Sequence, residues 1–230
     1  DVTGPVIVDL DAGTATGDAG SNAGADTLSS IENVIGSGGA DSIYGSSAAN
    51  YINGAGGADL IQAGAGNDTV VFDANDAAVD GGNGTDALYV SSSISLLDLT
   101  VTRDEVFTNF EILDVSASGS QVIKISDADV RALTGGGSSG TLIIKGTADD
   151  TVRLVGVAWP KVPTFDGTYN VYNYAVAGGN TIVKVDPAVA VGFIFRSDEA
   201  SDSMVGTSGG DEFEGNGGND SVFGGEGDDF

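Results

Sequence analysis

The sequence has no cysteine and no histidine. Disulfides and thiolate metal sites are therefore excluded. So are imidazole catalysis and zinc or copper held by histidine. Positive charge is scarce as well: 8 Lys+Arg stand against 34 Asp+Glu, a formal net charge of -26. Nucleic acid and anionic membrane surfaces need Lys and Arg to neutralise their phosphates, so neither is an expected partner. No apolar run is long enough for a membrane-spanning helix, and residues 1–10 have no basic region or signal-peptide pattern. What remains as chemistry is oxygen. Sites built only from carboxylates and carbonyls favour calcium or magnesium, and many flexible carboxylates favour calcium. The charge itself points the same way, because so acidic a chain resists compaction unless cations bind.

Glycine is abundant, 37 of 230 residues, and it recurs with a period. Gly36 to Tyr44 is followed nine residues later by Gly45 to Asn53, then Gly54 to Gln62 and Ala63 to Val71. Phe72 to Asp80 keeps the register without its glycines, and Gly81 to Tyr89 restores it. A second array runs from Ser197 through Gly206, Gly215 and Gly224. The sixth position of each unit reads Asp41, Asn50, Asp59, Asp68, Ala77 and Asp86, then Asp202, Asp211, Asp220 and Asp229. The eighth position checks that register independently. It reads Ile43, Ile52, Ile61, Val70, Val79, Leu88, Met204, Phe213 and Val222, apolar in every copy. With two residues in five apolar, chance gives this at roughly a few in ten thousand.

These nine-residue units resemble the repeats-in-toxin (RTX) nonapeptide, Gly-Gly-x-Gly-x-Asp-x-U-x with U large and apolar. The closest copies are 81–89 and 215–223, and the resemblance covers about 20–89 and 197–230. It implies a parallel β-roll that binds several calcium ions. Six Gly-rich residues form a turn that aims carbonyls and the Asp carboxylate at one point. Three residues then form a strand with the eighth position inward. Two units make one coil, so loops two units apart stack and calcium sits between them. The expected stacked pairs are Asp41 with Asp59, Asn50 with Asp68, Asp68 with Asp86, Asp202 with Asp220, and Asp211 with Asp229. Asp59 and Ala77 form a weak pair, where Asp73 and Asp76 are the substitutes. Around these stand the turn glycines Gly36, Gly38, Gly45, Gly54, Gly56, Gly64, Gly66, Gly81, Gly206, Gly215, Gly217 and Gly224, with Asn83.

The expected fold is all-β: a calcium β-roll interrupted by a β-rich, sandwich-like insert with one short helix. Residues 1–89 hold a capping lead-in and the first roll, 90–196 the insert, and 197–230 a second roll segment. Short strands separated by turns make the insert either a sandwich or an extended β-solenoid. The helix is placed at Asp127 to Leu133, with Ser126 and Gly135 as its caps. The two rolls are either separate, or one roll in which loop 206 stacks on loop 81 and Asp86 shares a calcium with Asp211. The final Gly227-Asp228-Asp229-Phe230 stops in mid-pattern, so neighbouring domains of a longer chain are expected.

The insert also resembles, more softly, the β-rich spacers of large RTX adhesins, through Phe110–Val115, Ser126–Val130 and Gly167–Tyr172. That likeness implies type I secretion by a Gram-negative bacterium, folding in extracellular calcium, and a role in cell attachment or biofilm formation. The alternatives are the non-catalytic secretion and folding module of an extracellular hydrolase, or a surface-layer protein. No catalytic residues are expected. Trp159, Tyr169 and Tyr172 are either core residues or a platform for a surface glycan or peptide. Arg131 and Arg153, like Arg103 and Lys161, are expected in surface ion pairs.

Overall fold

A computed structural model describes residues 4–17, 24–101, 106–137, 139–156, 163–176, 179–196, 203–207, 210–214 and 219–230. The nine-residue period converts directly into two walls. Consecutive repeats place their short strands on opposite walls, and each strand pairs in parallel with the one two repeats later. On one wall Ile43 is in register with Ile61, and Ile61 with Val79. On the other, Val34 meets Ile52, Ile52 meets Val70, and Val70 meets Leu88. The eighth-position side chains meet between the walls. Ile43, Ile52, Ile61, Val70 and Leu88 are wholly buried.

Two compact units result. The first comprises residues 1–91, 103–114 and 132–136. Its lead-in is an antiparallel set, Ala25–Thr27 on Thr14–Gly17 on Val6–Asp9, and Val6–Asp9 joins the roll in parallel against Ser42–Ser46. At the far end the walls continue past the glycine repeats. Phe107 is in register with Val79, and Leu113 with Leu88. These coils are longer than a pair of repeats, yet they keep the inward position apolar, and Phe107 stacks on Phe72 with centroids 5.0 Å apart.

The second unit comprises residues 92–102, 115–131 and 137–230. One parallel ladder runs Leu96–Asp98, Val122–Ser126, Thr151–Val155, Ala190–Arg196, Glu212–Glu214. Gly140–Lys145 pairs in parallel with Gly179–Val185, whose other edge carries an antiparallel hairpin, Asn170–Val176 with Thr164–Phe165. Ser203–Val205 pairs in parallel with Ser221–Phe223. Of the two architectures expected for 90–196, the parallel pairing is that of an extended solenoid, and the sandwich-like reading is corrected accordingly. Short alternating strands look the same in both, because alternation marks a buried face and not the direction of the partner. The single interrupted roll is also overturned. Leu88 is followed in its ladder by Leu113, and Phe213 is preceded in its own by Phe195. The rung after loop 81 is the one that carries Leu113, and the rung before loop 206 is the one that carries Phe195.

The helix spans Asp127–Leu133 as expected. The Asp129 N–H donates to Ser126 Oγ at 3.3 Å, and the Ser126 N–H donates back to Asp129 Oδ2 at 2.6 Å, a reciprocal cap. Gly135, at φ +95°, ends it.

Candidate metal centre

The loops stack through a repeated carboxylate contact. At the sixth position one Asp oxygen accepts the backbone N–H one rung back. Asp59 Oδ1 accepts from Asp41 at 2.8 Å, Asp68 Oδ1 from Asn50 at 2.7 Å, and Asp86 Oδ1 from Asp68 at 2.8 Å. Asp229 Oδ1 accepts from Asp211 at 3.1 Å. Four of the expected pairs are thus stacked. Asp202, Gly215 and Gly217 lie outside the described residues.

The glycines of the first position are needed because the next rung leaves no room for a side chain. A Cβ on Gly36 would overlap Asp41 Oδ2 and the Gly54 carbonyl, and one on Gly45 would overlap the Ala63 carbonyl. Gly54 and Gly224 lie hard against Asp59 Oδ2 and Asp229 Oδ2. Gly81 is closed by the Asn109 carbonyl, and Gly206 by the Gly224 carbonyl. Gly64 and Gly66 take φ +104° and +119°, which only glycine adopts cheaply. Asn83 lies on the strand paired with Ala65–Gly66. Gly38 and Gly56 face open space. Rungs therefore approach carbonyl to Cα, bringing backbone oxygens beside the carboxylates.

The other carboxylate oxygens carry the electrostatic problem. Oδ2 of Asp68 and of Asp86 is buried and accepts no hydrogen bond. Oδ2 of Asp59 is buried too, with the carboxyl of Asp76 beside it. A buried carboxylate oxygen without a donor is costly. Burial accordingly pushes the Asp59 and Asp68 carboxyls upward. Asp86 is raised to about 6 by burial, with Asp68, Glu111 and Asp80 adding repulsion. Asp76 is raised to about 7 by burial and by the charges of Asp59 and Asp73. A divalent cation would remove this penalty. Among the described residues no three or more acidic side chains converge on one point. Carbonyl oxygens must therefore supply much of the shell, as calcium accepts and structural zinc does not. The donor set fits calcium.

Ala77, the degenerate sixth position, is exposed, and Asp76 is buried in its place. Two further carboxylates join the pattern where spacing alone did not point, and Asp211 makes a contact beyond its expected pair. Glu111 accepts the Asp86 N–H at 3.0 Å, in the role of the next Asp. Asp150 accepts the Gln121 N–H at 3.0 Å and is wholly buried. Its sequence signal is Gly146-Thr147-Ala148-Asp149-Asp150-Thr151-Val152, a repeat with one loop residue removed. Asp211 Oδ1 accepts the Phe193 N–H at 2.8 Å, extending the pattern back to a rung without a repeat.

The sequence family of the RTX calcium-binding nonapeptide repeat (4 copies) matches residues 32–74 and 197–230, about a third of the chain. These two segments are RTX repeats. RTX nonapeptide repeats bind calcium ions, in agreement with the donor set above. The RTX geometry continues beyond the first matched segment, since 81–89 stacks on 63–71 in the same register. No curated protein matches the chain.

Among the described residues, Tyr172 and Tyr169 do not form an exposed aromatic platform. Tyr172 is 5% exposed, packs edge-on against Phe193 with centroids 6.0 Å apart, and is raised to about 12 by burial. It is a core residue. Tyr169 is half-buried in the turn ahead of the hairpin strand, its N–H donating to Asp166. Trp159, Arg103 and Lys161 lie outside the described residues. Arg131 pairs with Asp127, and Arg153 with Glu212 at 2.9 Å.

Proposed function

We propose that this chain is a calcium-folded extracellular module of a type I secreted bacterial adhesin, serving as scaffold in cell attachment or biofilm formation. Its carboxylates and loop carbonyls hold calcium between stacked rungs: Asp59, Asp68, Asp86 and Asp229, with the backbone oxygens around Gly64 and Gly66. The observation that carries the reading is the buried, donor-less oxygen of Asp68 and of Asp86. Without metal these groups repel one another and oppose folding. With metal the binding energy becomes folding energy. Extracellular calcium modules work at about 10⁻⁴–10⁻³ M, so such a chain stays unfolded where calcium is scarce and folds where it is plentiful.

The repeats form a structural module, and the chain is read as having no catalytic role. The parallel ladders supply length and stiffness. A surface glycan or peptide is the partner class that an adhesin would engage. The test is circular dichroism during a calcium titration, followed by glycan and peptide arrays in millimolar calcium and in chelator. Folding on calcium with a hit lost on chelation supports a ligand-binding adhesin module. Folding without any hit restricts the role to scaffold. A chain fully folded in chelator, and unchanged by calcium, refutes the calcium-coupled reading.

A further inference from the structure

In eight of the described loops the second residue falls into one of two sets; the degenerate loop 72–80, with Asp73 there, joins neither. In one set it is Ser or Thr, and it is turned onto the sixth-position side chain. The Ser37 N–H donates to Asp41 Oδ2 at 2.6 Å, with its hydroxyl 2.9 Å from Oδ1. The Ser46 N–H donates to Asn50 Oδ1 at 2.7 Å. The Thr207 N–H and hydroxyl reach Asp211 Oδ2 at 2.5 and 3.0 Å. The Thr147 N–H and hydroxyl reach Asp150 Oδ2 at 2.7 and 2.9 Å. Each carboxylate in this set is satisfied by protein donors, since Asp41 Oδ1 also accepts from Val6 and the far oxygens of Asp150 and Asp211 accept backbone N–H groups.

In the other set the second residue is Ala55, Gly64, Gly82 or Gly225, at φ +72°, +104°, +90° and +101°. That conformation turns its N–H elsewhere. Ala55 donates to Asn53 Oδ1 at 2.9 Å and Gly82 to Asp80 Oδ1 at 3.0 Å. The buried oxygens of Asp68 and Asp86 that receive no donor both belong to this set, as does Asp59 Oδ2, which faces the Asp76 carboxyl.

A separate observation agrees. The one sixth-position amide, Asn50, falls in a Ser loop, and its Nδ2 donates to the Glu32 carbonyl at 3.2 Å. A donor aimed at a loop carbonyl occupies the place of a cation, and an amide suffices where the acceptor role is all that the loop requires.

We propose that the stack contains two kinds of rung: loops stapled by a Ser or Thr hydroxyl and N–H, which close without metal, and loops with a left-handed second residue, which close only on calcium. Ser37, Thr147 and Thr207 are then positioning residues standing in for the ion. Asp41, Asn50, Asp150 and Asp211 are structural acceptors that do not ligate. The calcium ligands are confined to Asp59, Asp68, Asp86 and Asp229. This rests on the calcium reading above and narrows it.

The test is calcium stoichiometry by equilibrium dialysis with Ca²⁺ alone, together with urea melts in calcium and in chelator, on the whole chain. Asp68→Asn and Asp86→Asn are expected to lower the number of bound ions and to lower the urea midpoint in calcium but not in chelator. Asp150→Asn and Asp41→Asn are expected to leave the ion count unchanged. Thr147→Ala is expected to lower the midpoint equally in both media, and Thr147→Ser to restore it. This Ala/Ser pair keeps the test decisive if an Asp variant fails to fold. An ion lost on Asp41→Asn, Asp150→Asn or Thr147→Ala overturns the division of loops while leaving calcium binding intact. Wild-type chain that binds no calcium overturns the underlying reading, and the division with it.

Discussion

Asp68 has one oxygen that accepts the Asn50 N–H and one that accepts nothing. This asymmetry recurs in Asp86 and gives the metal-free chain an unusual pH response. The carboxyls of Asp76 and Asp86 lie at about 7 and about 6 in the fold, above the 3.8 of an ordinary aspartate, which is their value in the unfolded chain. The folded state therefore binds more protons between pH 4 and 7, so its stability falls as pH rises through that window. In chelator the chain is expected to melt at a higher temperature at pH 5 than at pH 7.5. In millimolar calcium the order should reverse, because the ion requires ionised ligands. Thermal melts at the two pH values check both signs. Ala55 supplies a second prediction at this scale. It holds φ +72° without being glycine, which is a strained conformation for a residue with a Cβ. Ala55→Gly is expected to stabilise the chain by up to about 1 kcal/mol, read from the urea midpoint.

At the scale of elements, the repeats were largely legible because each wall is paced by one inward residue. Ile43, Ile61 and Val79 could be placed from spacing alone, and the ladder puts them in register. The helix was legible for a local reason, a Ser-x-x-Asp start and a glycine stop. Ser126→Ala removes the hydroxyl that accepts the Asp129 N–H and should cost about 1 kcal/mol, with loss of helical signal confined to one short element. Two things were not legible. Parallel pairing across 90–196 was hidden, because a strand's alternation does not name its partner. Asp150 and Glu111 were hidden because the coils that carry them depart from the two-repeat length, so counting from Asp86 lands elsewhere. The stapled loops were the subtlest omission. Ser37 and Thr207 read as ordinary turn residues until their hydrogen bonds are seen.

Taken whole, the molecule holds a net charge of -26 in a fold that packs carbonyl and carboxylate oxygens close together. Chelation is expected to unfold the open rungs first and to lower the melting temperature of the entire chain. Each calcium site adds about 2.7 kcal/mol when the ion stands at a hundred times its Kd. Sodium chloride screens the general repulsion but cannot coordinate. Adding 0.3 M NaCl in chelator should therefore recover much less than millimolar calcium does, which differential scanning calorimetry will report.

The unequal length of the coils has a kinetic side. Through the repeats every ladder contact lies just two repeats away, as between Ile43 and Ile61, so each rung closes a short chain segment onto its predecessor. Contacts this local place the repeats toward the fast end of β-protein folding. In the second unit Leu142 must find Val183 across a much longer excursion that includes the hairpin. Loop-closure entropy grows only with the logarithm of length, about 0.7 kcal/mol for a coil a little over twice as long, so the longer coils lose little stability. They lose time instead, and in a chain that zips up rung by rung, those coils are where the zipper must wait.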